Sequence, residues 1–224
     1  MRTVTFMSSG TAVRAELFDA PGAVRGAVVI AHGSDGVTDH LSGPWGTMMR
    51  DYASAFAGAG FTTLLPFYFD KTGTAPGIPA MQTALLHLQE WQDALAAGID
   101  FAAALPGVPS GKVGLVGFSL GGHLSLRLRG HVPVVVEFFA PHTPWPGPIP
   151  HPAQYVQIHH GNKDGPVDVS HAGLIEADLK GETAVLTVHR YDGAGHGFKG
   201  TDRDNTEARK LSKERTLQFV AKYL

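Results

Sequence analysis

VGLVGFSLGGHLSL, residues Val113 to Leu126, joins a short apolar run to a glycine-flanked serine and a helical pattern. Its first five residues form a short apolar strand. Phe118-Ser119-Leu120-Gly121-Gly122 then turns the chain into a helix. Gly117 and Gly121 flank Ser119 in a G-x-S-x-G pattern, which sets a serine hydroxyl at the edge of a sheet and at a helix N-terminus. With 28 glycines in 224 residues, such a pattern also arises by chance as an ordinary strand-to-helix turn. The neighbouring loops must therefore supply a base and an acid.

Outward from Ser119, apolar strands alternate with helical patterns. Thr3–Met7 and Ala12–Phe18 alternate apolar and polar residues around Ser8-Ser9-Gly10, as in a hairpin. Gly26–Ala31, Phe61–Pro66, Val132–Ala140, Tyr155–His159 and Ala184–Tyr191 are strand-like runs. Helices are expected over Pro44–Ala59, Ala80–Leu105, Leu124–Arg129, Val167–Leu179 and Asp202–Leu224. In the second of these, Leu85, Leu88, Trp91, Leu95, Ile99 and Ala102 share one stripe, expected to face the core. Phe67–Pro79 and the proline-rich Pro141–Pro152 are expected to be loops. This alternation predicts one α/β domain spanning 1–224, built on a mostly parallel sheet.

Composition narrows the chemistry. Eighteen basic and 20 acidic residues leave a net charge of -2, so no single-sign field points to nucleic acid or a membrane surface as partner. There are no cysteines, which excludes disulfides, thiolate metal sites and a thiol nucleophile. The N-terminus has no apolar signal segment, and a cytoplasmic protein is expected. No H-E-x-x-H or similar ligand spacing occurs, so no metal or other cofactor is expected. Monomer and homodimer both remain open.

In an open parallel sheet, functional groups gather at the carboxyl ends of the strands. A serine hydroxyl needs an imidazole to take its proton and a carboxylate to orient that imidazole. His196, in the glycine-rich Gly193–Gly197 loop, is the candidate base. Asp164, in Gly161-Asn162-Lys163-Asp164-Gly165, is the candidate acid, giving the chain order Ser, Asp, His. His123 reads as a packing or supporting residue. His159 and His160 read as structural or half-exposed strand-end residues. Asp168 and Asp192 are rival acids, placed respectively at a helix start and in a turn. The amides of Leu120 and Ser34, the latter in His32-Gly33-Ser34-Asp35-Gly36, are the expected oxyanion donors. Pocket walls are expected from Phe67–Pro79 and Pro141–Pro152, with His142 and Trp145 as substrate contacts and Lys199 as a nearby cation.

Taken together, HGSDGV after the third strand, GFSLGG, GNKDGPV and YDGAGHGF resemble the dienelactone hydrolase family. The intervals of 45 residues from Ser119 to Asp164 and 32 from Asp164 to His196 suit it. The resemblance implies an α/β-hydrolase fold with about eight strands and helices on both faces. It also implies Ser119, Asp164 and His196 as the triad, with Leu120 and Ser34 as amide donors. The best-known members use cysteine, with a glutamate after the third strand. Here Ser119 and Gly33 stand at those positions, in keeping with a plain Ser-His-Asp mechanism. Those members also hold a substrate carboxylate with arginines; this chain has none from Asp51 to Leu126, and the residues just past His196 offer only Lys199 and Arg203.

The expected activity is hydrolysis of a small carboxylic ester or lactone through an acyl-enzyme on Ser119, with that small molecule as partner. Amide or peptide cleavage by the same triad and a non-catalytic binding module on the same fold are the alternatives.

Overall fold

The computed structural model describes residues 1–144 and 152–224. Eight strands form one sheet in the order β1-β2-β4-β3-β5-β6-β7-β8. The hairpin of β1 (Arg2–Ser8) and β2 (Thr11–Phe18) is antiparallel and joins β4 (Phe61–Pro66) antiparallel. The other strands, β3 (Gly26–Ala31), β5 (Val113–Phe118), β6 (Val134–Phe138), β7 (Tyr155–Gly161) and β8 (Val185–Tyr191), run parallel with β4. Their sequences explain this arrangement. GAVVIA, FTTLLP and VGLVGF are buried at every position, as strands covered on both faces must be.

Helices α2 (Ile78–Ala103), α3 (Leu120–Arg127) and α4 (Ser170–Leu179) cover one face, with Trp91, Leu95, Leu124 and Ile175 in its core. Helices α1 (Trp45–Gly58) and α5 (Arg203–Tyr223) cover the other, through Met49, Phe56, Phe219 and Val220. The chain runs from β3 outward to β4, then returns to the other side of β3 as β5. The strand order therefore reverses between β3 and β5, the place where such sheets open a crevice at their carboxyl ends.

Three expectations are corrected. Leu85 does not face the core: it is 88% exposed, and Ile78, Met81 and Leu86 beside it are exposed too. In α2 Ala80 is buried near the start, and the regular series of buried positions begins at Trp91. The fourth predicted helix starts at Ser170 rather than Val167, since Pro166 and Val167 belong to the turn that holds Asp164. Phe67–Pro79 is not all loop. Tyr68–Lys71 is a 3₁₀ turn whose Tyr68 is buried, and α2 opens at Ile78.

Candidate active site

Ser119 follows β5 directly and caps α3 with φ 55° and ψ -115°, a left-handed conformation that is rare for a non-glycine residue. Its neighbours hold it there. The Ser119 amide donates to the Phe138 carbonyl at 2.9 Å, and its carbonyl accepts the His123 amide at 3.0 Å. A Cβ on Gly117 would collide with the Gly121 carbonyl and the Ser125 hydroxyl; one on Gly121 would collide with the Ala31 and His32 carbonyls. The two glycines are thus required by backbone contact, which is the physical content of G-x-S-x-G.

The Gly193–Gly197 run brings His196 to the same rim. Gly193 and Gly197 both have positive φ, and Gly197 lies against the Trp45 indole, where any side chain would clash. The His196 ring packs against Phe139 at 4.7 Å and Trp45 at 6.0 Å between centroids. Its Nδ1 meets Asp164 Oδ2 at 2.7 Å. An ionised carboxylate only accepts, so Nδ1 carries the proton and Nε2 is left with a lone pair.

Asp164 has a fully buried side chain. Burial acts to raise its pKa, but hydrogen bonds from His160, His196 and the Val167 amide outweigh it and bring the carboxyl down to about 2. The Val167 N–H donates to Oδ1 at 2.8 Å. Asp164 therefore stays ionised beside His196 at neutral pH.

The loop after β3 forms the opposite wall. His32 is buried and stacks on Tyr68 at 3.9 Å, while the Tyr68 hydroxyl donates to the His32 carbonyl at 2.6 Å. Burial lowers the His32 pKa to about 4, so the ring is neutral, and its Nδ1 donates to the Gly33 carbonyl at 2.8 Å. These contacts leave Ser34 facing the crevice. Leu120 opens α3, so its N–H has no intrahelical acceptor.

Ser119, His196, Ser34 and Leu120 line one cavity of about 420 Å³. Its other walls are Gly33, Asp35, Ser42, Trp45, Met81, Ala84, Pro141, Pro166, Val167 and Lys199. No hydrogen bond joins Ser119 to His196 among the described residues. The Asp35 carboxylate accepts the Ser42 amide at 3.0 Å and the Ser42 hydroxyl. Lys199 donates to the Ser42 carbonyl at 2.7 Å and lies over the Trp45 ring.

Other predicted site residues lie elsewhere. The His142 ring meets Asp178 of α4 at 2.8 Å instead of lining the cavity. Trp145 falls outside the described residues. Phe67, Phe69, Thr74 and Pro76 line a neighbouring cleft with His32 and Arg14, not the wall beside Ser119. The turn from Pro166 and the start of α2 supply those walls instead. Asp168 receives the Ser170 amide and Asp192 the Asn162 side chain, each at the role expected of a rival. His159 and His160 are both fully buried rather than half exposed. His159 stacks on Phe138 and bonds Tyr191, whereas His160 Nε2 lies 3.4 Å from Asp164 Oδ2. The sequence carries a signal for that last contact, since His160 stands four residues before Asp164 across a tight turn. Among the described residues, no cluster of three or more His, Asp or Glu could hold a metal ion, and no helix is long and apolar enough to cross a membrane.

Known proteins resemble this chain along most of its length. The model of the dienelactone hydrolase family matches residues 13–224. Carboxymethylenebutenolidase of Pseudomonas putida is 33% identical over 135 residues, which is 57% of this chain and 55% of that protein, so the match spans little more than half of the relative. Among solved structures, the dienelactone hydrolase-like promiscuous phosphotriesterase P91 from metagenomic libraries superposes with a TM-score of 0.79 at 19% identity, covering 99% of this chain and 97% of that one. The dienelactone hydrolase of Anabaena variabilis gives 0.71 at 22% identity, covering 97% of each chain. An α/β serine hydrolase without a lid from Xanthomonas campestris gives 0.68 at 19%, covering 99% of this chain and 93% of that one. These likenesses establish the α/β-hydrolase fold.

Proposed function

The chain belongs to the dienelactone hydrolase family, and from that membership we propose that it is a serine-dependent hydrolase of small carboxylic esters or lactones. Ser119 Oγ attacks the substrate carbonyl while His196 Nε2 takes its proton. Asp164 holds the Nδ1–H tautomer and stabilises the imidazolium that forms. The amides of Leu120 and Ser34 receive the developing oxyanion. His196 returns the proton to the leaving alkoxide, leaving an acyl group on Ser119. Water, deprotonated by the same ring, then releases the acid.

The observation that carries this reading is the 2.7 Å contact from His196 Nδ1 to a buried Asp164, with ring and serine on one cavity wall. The wall favours an uncharged substrate. Met81, Ala84, Leu120, Pro141, Pro166 and Val167 are apolar, Asp35 brings a negative charge, and the Lys199 ammonium is engaged by Ser42. An anionic dienelactone is therefore a poorer fit than a neutral ester.

Steady-state kinetics on a neutral aryl ester and its carboxylate-bearing analogue test this. Wild-type protein is expected to prefer the neutral ester, and Ser119→Ala to lose at least about 10³-fold in kcat/KM. Turnover unaffected by Ser119→Ala ends the reading.

A further inference from the structure

Two buried polar atoms beside this site have no hydrogen-bond partner among the described residues: Glu137 Oε1 and His160 Nδ1. Both residues are fully buried, and proteins seldom leave such groups unpaired without a role for them. Glu137 lies on β6 among Val134, Val135, Val136 and Phe138. It pairs with Ile158 across to β7, and His160 stands two residues further on. Both side chains therefore project from one face of the sheet as diagonal neighbours.

His160 reaches Asp164, as His196 does. Its Nε2 meets the Val167 carbonyl at 2.8 Å, and since a carbonyl only accepts, that nitrogen carries a proton. The same N–H faces Asp164 Oδ2 at 3.4 Å, the oxygen that His196 Nδ1 bonds at 2.7 Å. One carboxylate oxygen thus stands between two imidazoles. Glu137 also reaches the other arm of the site. Its Oε2 accepts the Ala140 amide at 2.9 Å, fixing the turn in which Phe138 bonds Ser119 and Phe139 packs on His196.

We propose that His160, backed by Glu137, is a positioning residue for Asp164: it holds the carboxylate and offsets part of its charge, and so sets how strongly Asp164 draws a proton onto His196. This rests on the triad reading above. The charges involved agree with it. Burial pushes the Glu137 carboxyl up to about 8, against the pull of His160 and the Ala140 amide. Burial acts to lower the His160 pKa, but Asp164, the Val167 carbonyl and Glu137 outweigh it and raise it. Glu137 therefore keeps its proton through neutral pH, and the contacts on His160 favour the cationic form of the ring that faces Asp164. Asp168 is the other carboxylate acting on His160, with His171 beside it.

The test is the pH profile of aryl-ester hydrolysis by the full chain carrying His160→Leu, His160→Gln or Glu137→Gln. His160→Leu is expected to lower kcat by about 10–100-fold with little change in KM, as loss of a supporting hydrogen bond does. The acid limb of kcat/KM should rise by about half to one pH unit, because a cation that competes for Asp164 has gone. His160→Gln, whose amide restores the N–H, should recover most of kcat and keep the shifted limb. Glu137→Gln exchanges one neutral side chain for another and should keep the wild-type limb. If His160→Leu does not fold, His160→Gln carries the test. A wild-type acid limb in His160→Gln overturns the proposal. A wild-type protein that neither hydrolyses the ester nor labels with a fluorophosphonate overturns the hydrolase reading itself, and the proposal with it.

Discussion

At the scale of single residues, the backbone around Ser119 is as constrained as the chemistry proposed for it. Gly121→Ala drives a methyl group into the Ala31 and His32 carbonyls, atoms that cannot rotate away. It should destabilise the protein by about 3 kcal/mol or more, measured by denaturant unfolding. Asp164 and Glu137 predict opposite pH dependences. Asp164 titrates near 2 when folded, below its ordinary 3.8, so its contribution is present above pH 3.8 and is lost as pH falls toward 2. That contribution is about 2 kcal/mol, and Asp164→Asn should flatten the acid limb of stability. Glu137 titrates near 8, above its ordinary 4.5, so the unfolded chain releases that proton first. Its effect is a loss of stability as pH rises from 4.5 to 8. Glu137→Gln should gain stability at pH 8 relative to pH 5, and urea titrations at the two values decide it.

Among the elements, α2 separates what periodicity reveals from what it hides. The stripe from Leu85 to Ala102 was legible as a stripe, yet hydrophobic spacing does not say where a helix leaves the sheet it covers. Trp91 is fully buried and Leu85 is 88% exposed, six residues apart on one helix. Trp91→Ala should therefore cost about 3–5 kcal/mol. Leu85→Gln should change stability by no more than about 0.5 kcal/mol, and thermal melts of the two variants make the comparison. The same limit explains the cavity walls. Met81 and Ala84 line the cavity from the first turns of α2, and no local pattern in the sequence marks them as wall residues.

For the molecule as a whole, strand order was less accessible than strand identity. GAVVIA, FTTLLP and VGLVGF announce buried strands by composition. Their arrangement as β4-β3-β5, with the crevice opening where the order reverses, is a property of long-range pairing. Asp164 and His196 stand out as candidates because glycines crowd the turns that carry them. The spacing of His160 to Asp164 is a weaker signal, because a histidine at a strand end is read as structural unless the following turn is known to fold back on it. The His142 ring meets Asp178 of α4 at 2.8 Å, a pairing between distant segments that no local pattern marks. The central claim is that three turns from distant parts of the sequence form one proton relay that makes Ser119 a nucleophile. Its most direct measurement is fluorophosphonate labelling followed by peptide mass mapping of wild type, Ser119→Ala and His196→Ala. A single adduct on Ser119 is expected, absent in the first variant and formed at least about 10²-fold more slowly in the second. An adduct on another residue, or labelling of Ser119 at the wild-type rate without His196, contradicts it.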